Sequence, residues 1–308
     1  MPMLRITVTD SEPRLHGGDV PLQPALVAAL AADKGPVTIM VHGYKYLPGH
    51  PIHCPHGSLM SPDPAKDDWK IVSWPSQLGL HGQRGTGVAI SFGWKARGSI
   101  WAAHRRAQTA GQALAALVRD IRRFAPGRPV NLIAHSLGAR VALAAIGAGA
   151  PGSINRAVLL AAAEYADTAR HILEGETGRH TEVLNVTSRE NDLYDFLLEC
   201  LIPPARRGDR MLGHGGLRLP RMVTLQLDDS RSLAALRSAG FPIEAPDRLI
   251  CHWSPYLRAG VFPLYRAVLS GEMPLDRLRA LLPAGSAPRW SRLRPRLPRP
   301  QPPLLPAE

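Results

Sequence analysis

Ser136 stands in the pentapeptide Ala134-His135-Ser136-Leu137-Gly138, between the short apolar run Val130 to Ala134 and a helix-competent stretch, LGARVALAAIGAGA. This is a form of the small-x-Ser-x-Gly nucleophile elbow, where a strand turns at once into a helix and carries the serine at the bend. A turn so sharp holds the serine in strained backbone geometry with its Oγ exposed. Small residues two before and two after it let strand and helix cross, and Ala134 in place of glycine adds a single methyl group. The backbone N–H of Leu137, at the helix start, is placed to stabilise an oxyanion. A serine hydroxyl is a poor nucleophile until a base takes its proton and an acid orients that base. Downstream of Ser136 the leading base is His252, in Cys251-His252-Trp253-Ser254; His171, His180 and His214 are weaker rivals. For the acid, Asp192 in Ser188-Arg189-Glu190-Asn191-Asp192 competes with Glu190, Asp195 and Glu164.

The elements that must position these groups follow from periodicity. Continuous apolar runs of strand length occur at 37–41, 87–94, 130–134, 157–161, 181–187 and 223–227, and an alternating run at 4–9 reads as a first strand. Helical spacing covers 21–33, 100–124, 261–270 and 274–282. Strands alternating with helices predict an α/β fold: a doubly wound, mostly parallel sheet with helices on both faces. In such a sheet the site lies at the carboxyl ends of the strands, where Tyr44, Trp94, Ser136, Glu164 and Asp192 all fall. Tyr44, Trp94, His135 and Trp253 are therefore expected to line the substrate site. The Pro-, Gly- and His-rich segment 45–86 lacks periodicity and reads as a cap-like or substrate loop within a domain spanning 1–282.

Bulk properties narrow the classes. With 308 residues and 45% hydrophobic content the chain can bury a large core. Of the net charge of +12, the Pro/Arg-rich stretch 283–308 contributes five arginines against one acid, and it reads as a disordered tail whose removal leaves activity unchanged. No basic stripe interleaved with aromatics supports nucleic-acid binding. Three scattered cysteines (54, 200 and 251) and the absence of an apolar leader or an unbroken apolar span point to a cytoplasmic protein without stable membrane insertion. His50, His53, Cys54 and His56 have soft-metal chemistry, but no second ligand cluster accompanies them, so no metal site is assigned.

Val41-His42-Gly43-Tyr44, the elbow, Ser188 to Asp192 and Cys251 to Ser254 together resemble the α/β-hydrolase superfamily, in particular its serine esterases and lipases, over roughly residues 30–282. The resemblance implies the chain order serine, acid, histidine, and assigns Ser136 as nucleophile, Asp192 as acid and His252 as base. It also implies that the Tyr44 N–H, just after a strand that ends in His-Gly, completes the oxyanion hole with Leu137. The activity so implied is hydrolysis of a small-molecule ester through an acyl-enzyme, with no cofactor. Two alternatives share the scaffold: a C–C hydrolase or lyase, and a non-catalytic binding homologue in which His252 would lie far from Ser136.

Overall fold

The computed structural model describes all residues except 1–2, 10, 19, 65–67, 81–84 and 294–308. Eight strands form one sheet: β1 Met3–Thr9, β2 Glu12–Leu15, β3 Val37–Val41, β4 Val88–Gly93, β5 Val130–His135, β6 Arg156–Leu160, β7 Glu182–Thr187 and β8 Met222–Gln226. Their spatial order is β2-β1-β4-β3-β5-β6-β7-β8, with β1 and β2 antiparallel and every other pair parallel. The long helices are α1 Leu22–Ala32, α3 Ile100–Phe124, α4 Leu137–Ala148, α5 Ala166–Glu174, α6 Asp192–Leu201, α7 Ser230–Ser238, α9 Val261–Ser270 and α10 Leu275–Leu281, and α2 Trp74–Gln77 and α8 Ser254–Leu257 are single turns. This is the doubly wound, mostly parallel α/β sheet expected from the strand and helix patterns, and the fold that the resemblance to α/β-hydrolases implies.

Alternation along the buried strands sends side chains into two separate cores. Val130, Leu132 and Ala134 of β5 join the core under α1, α3, α4 and α5, whereas Ile133 joins the one under α7, α9 and α10. Parallel strands buried on both faces must be apolar at nearly every position, and VNLIA meets that demand except at Asn131. Asn131 is satisfied by donating to the Leu269 carbonyl of α9 at 3.0 Å.

The chain departs from sequence expectation in four places. A second strand, β2, folds back on β1 from a segment with no clear alternation, and α6 forms over residues expected to be loop. The 45–86 segment is anchored to the body: its Leu59, Met60, Trp74 and Leu78 are buried in the second core. The first part of the C-terminal stretch also packs on the domain. Arg289 pairs with Glu199 of α6 at 2.7 Å, and the Trp290 N–H donates to Asp192 at 2.6 Å. Residues 294–308 of the expected disordered tail lie outside the described residues.

Candidate active site

Sheet order sets the location. The chain runs from β3 to β4 on one side, then returns to place β5 on the other side of β3, so the crevice between β3 and β5 is a topological switch point. Val41 of β3 pairs with Ala134 of β5, which brings the turn after β3 level with the turn after β5. Ser136 occupies the second turn with φ 55° and ψ −126°, a left-handed backbone that a non-glycine residue adopts at a cost of about 1–3 kcal/mol. It is held there by donation of its N–H to the Leu160 carbonyl at 2.9 Å and of the Ala163 N–H to its own carbonyl at 3.1 Å. Two glycines permit the crossing. A Cβ on Gly138 would fall 2.5 Å from the His42 carbonyl oxygen, and one on Gly43 would fall 2.8 Å from Ser136 Cβ.

The turn after β3 is fixed by His42, which is fully buried. The Trp94 backbone N–H donates to its Nε2 at 3.0 Å, so the ring proton sits on Nδ1, which faces the Gly43 carbonyl at 2.9 Å. Burial drives the His42 pKa down to about 4, so the ring is neutral at pH 7. Within a trans peptide the C=O and N–H point in opposite directions. Holding the Gly43 carbonyl toward His42 therefore turns the Tyr44 N–H away from it, on a turn pressed against Ser136. Among the described residues the Tyr44 N–H makes no backbone hydrogen bond, and Leu137 opens α4, where a first-turn N–H has no intrahelical partner.

His252 reaches the serine from the loop between α7 and α8. Its Nε2 lies 2.9 Å from Ser136 Oγ. Donation of the Cys251 N–H to the Glu190 carbonyl at 2.9 Å fixes this loop beside the end of β7. Burial and the neighbouring His135 push the His252 pKa well below its ordinary 6.5. The Tyr194 ring stacks on the imidazole with centroids 4.7 Å apart. His135, itself buried with its pKa lowered to about 4 by desolvation, faces the His252 carbonyl through Nε2 at 3.0 Å.

The third position corrects the sequence reading. His252 Nδ1 faces Asn191, whose Oδ1 lies 2.6 Å away. Asp192, one residue on, opens α6 and turns its carboxylate elsewhere: to Arg189 at 3.3 Å and to the Trp290 N–H. The other acids are also engaged. Glu164 is buried against Arg140 and accepts from the Tyr165 N–H at 2.9 Å, and desolvation raises its pKa. Glu190 is bound by Arg258 and by the Ser188 hydroxyl at 2.7 Å. Asp195 sits behind Asn191 and accepts from Asn191 Nδ2 at 2.9 Å. Asn191 was hidden because an asparagine before a helix reads as an ordinary N-cap, yet its side chain makes no capping bond.

Among the expected substrate-binding residues, Tyr44, His135 and Trp253 line a cavity of about 630 Å³ over Ser136. Trp94 does not. It is buried, stacked on His42 with ring centroids 5.7 Å apart, and donates its indole N–H to the His42 carbonyl at 3.0 Å. The remaining walls come from Leu59 and Trp74 of the 45–86 segment, from Ile100 and Trp101 of α3 and from Leu198 and Leu201 of α6. Helical spacing in 192–201, with leucines at 197, 198 and 201, was the available signal for the α6 wall. Of the cysteine and histidine cluster, His56 is buried and faces Ser91 Oγ at 2.6 Å, away from His50 and His53, whose rings pack together. Among the described residues no three metal-ligating side chains gather into a site.

Residues 22–150 match the model of a family described as "Alpha/beta hydrolase of unknown function (DUF900)". The match contains the His-Gly turn and the elbow but neither Asn191 nor His252. The chain has the α/β-hydrolase fold and is similar to this family over that segment, which is less than half of its length. No curated protein matches its sequence.

Proposed function

We propose that the protein is a serine hydrolase that cleaves carboxylic esters bearing an apolar acyl or alcohol group. The observation that carries this reading is the 2.9 Å approach of His252 Nε2 to the hydroxyl of a serine held in a strained elbow. Ser136 Oγ attacks the ester carbonyl as its proton passes to His252 Nε2. The tetrahedral oxyanion is met by the N–H groups of Leu137 and Tyr44, each worth on the order of 100-fold or more in rate. Collapse expels the alcohol, protonated by His252, and leaves an acyl-Ser136 ester that water cleaves by the same steps. The low basicity of the buried ring keeps it neutral, and thus able to accept a proton, at pH 7. A binding homologue with an idle serine has no need of this contact.

The cavity supports the substrate class. Its walls are dominated by leucine, tryptophan and tyrosine, and Trp101, Leu197 and Leu201 at its mouth are each more than 40% exposed. An apolar chain lying there covers surface that water otherwise contacts, worth about 25 cal/mol per Å². The test is covalent labelling by a fluorophosphonate, located by peptide mapping, alongside turnover of p-nitrophenyl esters of increasing acyl length. Labelling at Ser136 that is lost in Ser136→Ala and His252→Ala, with turnover that rises with chain length, is expected. A folded wild type that takes no label and turns over no ester refutes the reading.

A further inference from the structure

An amide in the third position of a serine–histidine pair creates a difficulty that a carboxylate does not. A carboxylate can only accept, so it selects the imidazole tautomer with the proton on Nδ1 and leaves Nε2 free for the serine proton. An amide can present its oxygen or its NH2 group. With NH2 toward Nδ1, the ring would carry its proton on Nε2 and could take none from Ser136. This is why replacing the aspartate of a serine-protease triad by asparagine lowers kcat by about 10⁴-fold. Asn191 is compatible with base catalysis here only if its oxygen is held toward His252.

We propose that Asp195 is the residue that holds it there: a positioning residue that fixes the Asn191 amide, and through it the tautomer of His252. The proposal rests on the serine-hydrolase reading of Ser136 and His252. Asp195 follows Asn191 by four residues, so the first turn of α6 sets one side chain over the other. Its Oδ1 accepts from Asn191 Nδ2 at 2.9 Å while Asn191 Oδ1 faces His252 Nδ1 at 2.6 Å. Rotating the amide by half a turn would aim its oxygen at a carboxylate oxygen and its NH2 at the ring nitrogen. The ring could meet the NH2 only by moving its proton to Nε2, while the bond to Asp195 would be replaced by two facing oxygens in a buried setting, an unmet group costing about 1–3 kcal/mol.

The carboxylate cannot readily step aside. Asp195 is 5% exposed, and the backbone at Gly213 is so close that a Cβ there would lie 2.3 Å from Asp195 Oδ2. Gly213 is itself pinned, its carbonyl accepting from Arg189 and from Thr187 Oγ1. Burial pushes the Asp195 pKa up to about 7, opposed by Arg289 and Arg189. In its ionised form the carboxylate also polarises the amide toward its oxygen, which stabilises the imidazolium formed when Ser136 gives up its proton. The acid of the usual triad is thus set one residue back and acts through a neutral amide.

The test uses the full-length protein at about pH 8, with the His252 ring nitrogens observed by ¹⁵N NMR and fluorophosphonate labelling followed in parallel. In the wild type the proton resides on Nδ1. In Asp195→Leu it is expected to move substantially to Nε2, with labelling slowed by 100-fold or more. Retention of both the Nδ1 tautomer and the wild-type labelling rate in that variant overturns the proposal. If Asp195→Leu fails to fold, exchanging the two residues decides. Asn191→Asp alone sets two carboxylates against each other, and adding Asp195→Asn replaces that repulsion by an amide donor. Asp195→Asn should therefore slow labelling in the wild-type background and speed it by tenfold or more in the Asn191→Asp background. The same direction of change in both backgrounds overturns the proposal. A tautomer shift in Asp195→Leu in a protein whose wild type takes no label would sink the hydrolase reading while leaving the positioning role of Asp195 in place.

Discussion

At the level of single residues, neighbouring side chains are separated into opposite tasks. Asn191 and Asp192 are adjacent in sequence, yet the first faces the imidazole and the second is committed to Arg189 and the Trp290 N–H. The ring they flank differs from an ordinary histidine in basicity. His252 has a depressed pKa, so its base form persists as pH falls through 6.5 and is lost only at lower pH. Following the His252 ring by NMR from pH 8 downward is expected to show a neutral imidazole at pH 6.5. A midpoint at 6.5 or above would mean that the ring is not desolvated as described. The sign follows from the cause: desolvation penalises the charged form, and His135 adds to the penalty.

Secondary-structure elements decide how closely the two halves of the site approach. The β3 turn and the β5 elbow touch at Gly43, where a Cβ would stand 2.8 Å from Ser136 Cβ and 3.0 Å from the His135 carbonyl oxygen. Neither neighbour is a flexible side-chain end, so an added methyl group must displace backbone. Gly43→Ala is expected to slow fluorophosphonate labelling by roughly tenfold to 100-fold, because displacement of reacting groups by about 1 Å costs that much. Labelling at the wild-type rate would show that the two turns can separate without consequence. Helix α6 is the other organising element. It opens beside His252, carries Tyr194 onto the imidazole, and ends where the Leu201 carbonyl accepts from the Trp101 indole N–H at 2.8 Å, which ties it to α3 across the cavity mouth.

Across the whole molecule, the C-terminal stretch and the site meet on α6. Arg289 neutralises Glu199, both largely buried, and Trp290 satisfies Asp192. Deletion from 283 onward removes one partner from each acid, leaving Asp192 with Arg189 and Glu199 with Arg210 and the Met211 N–H, at about 0.5–1.5 kcal/mol for each hydrogen bond lost. Such a truncation is expected to lower Tm by roughly 2–8 °C and to slow labelling by loosening α6, whereas deletion from 294 onward leaves the described contacts whole. Equal melting temperatures for the two truncations would show that residues 283–293 do not hold α6. The expectation that the entire stretch is dispensable rested on its composition, and composition cannot register that one arginine and one backbone N–H find acids on a distant helix.

What was legible in the sequence is what short-range pattern encodes. The apolar run of β5, the small residues around Ser136 and the helical spacing after it identify the elbow, because strain and steric crossing constrain those residue types locally. The parallel sheet was legible for the same reason: strands buried on both faces must be apolar throughout. His252 was indicated by its place after the last strand. Tertiary structure alone decided which of several polar residues meets it. Residues 188–195 hold two aspartates, a glutamate and an asparagine within eight positions, and a rotation of about 100° per residue at a helix start separates a side chain that faces the imidazole from one that faces away. The choice of Asn191 over Asp192 depends on where α6 begins and on Arg189, Trp290 and Gly213. These groups converge only once the chain has folded, and no local spacing records their distances.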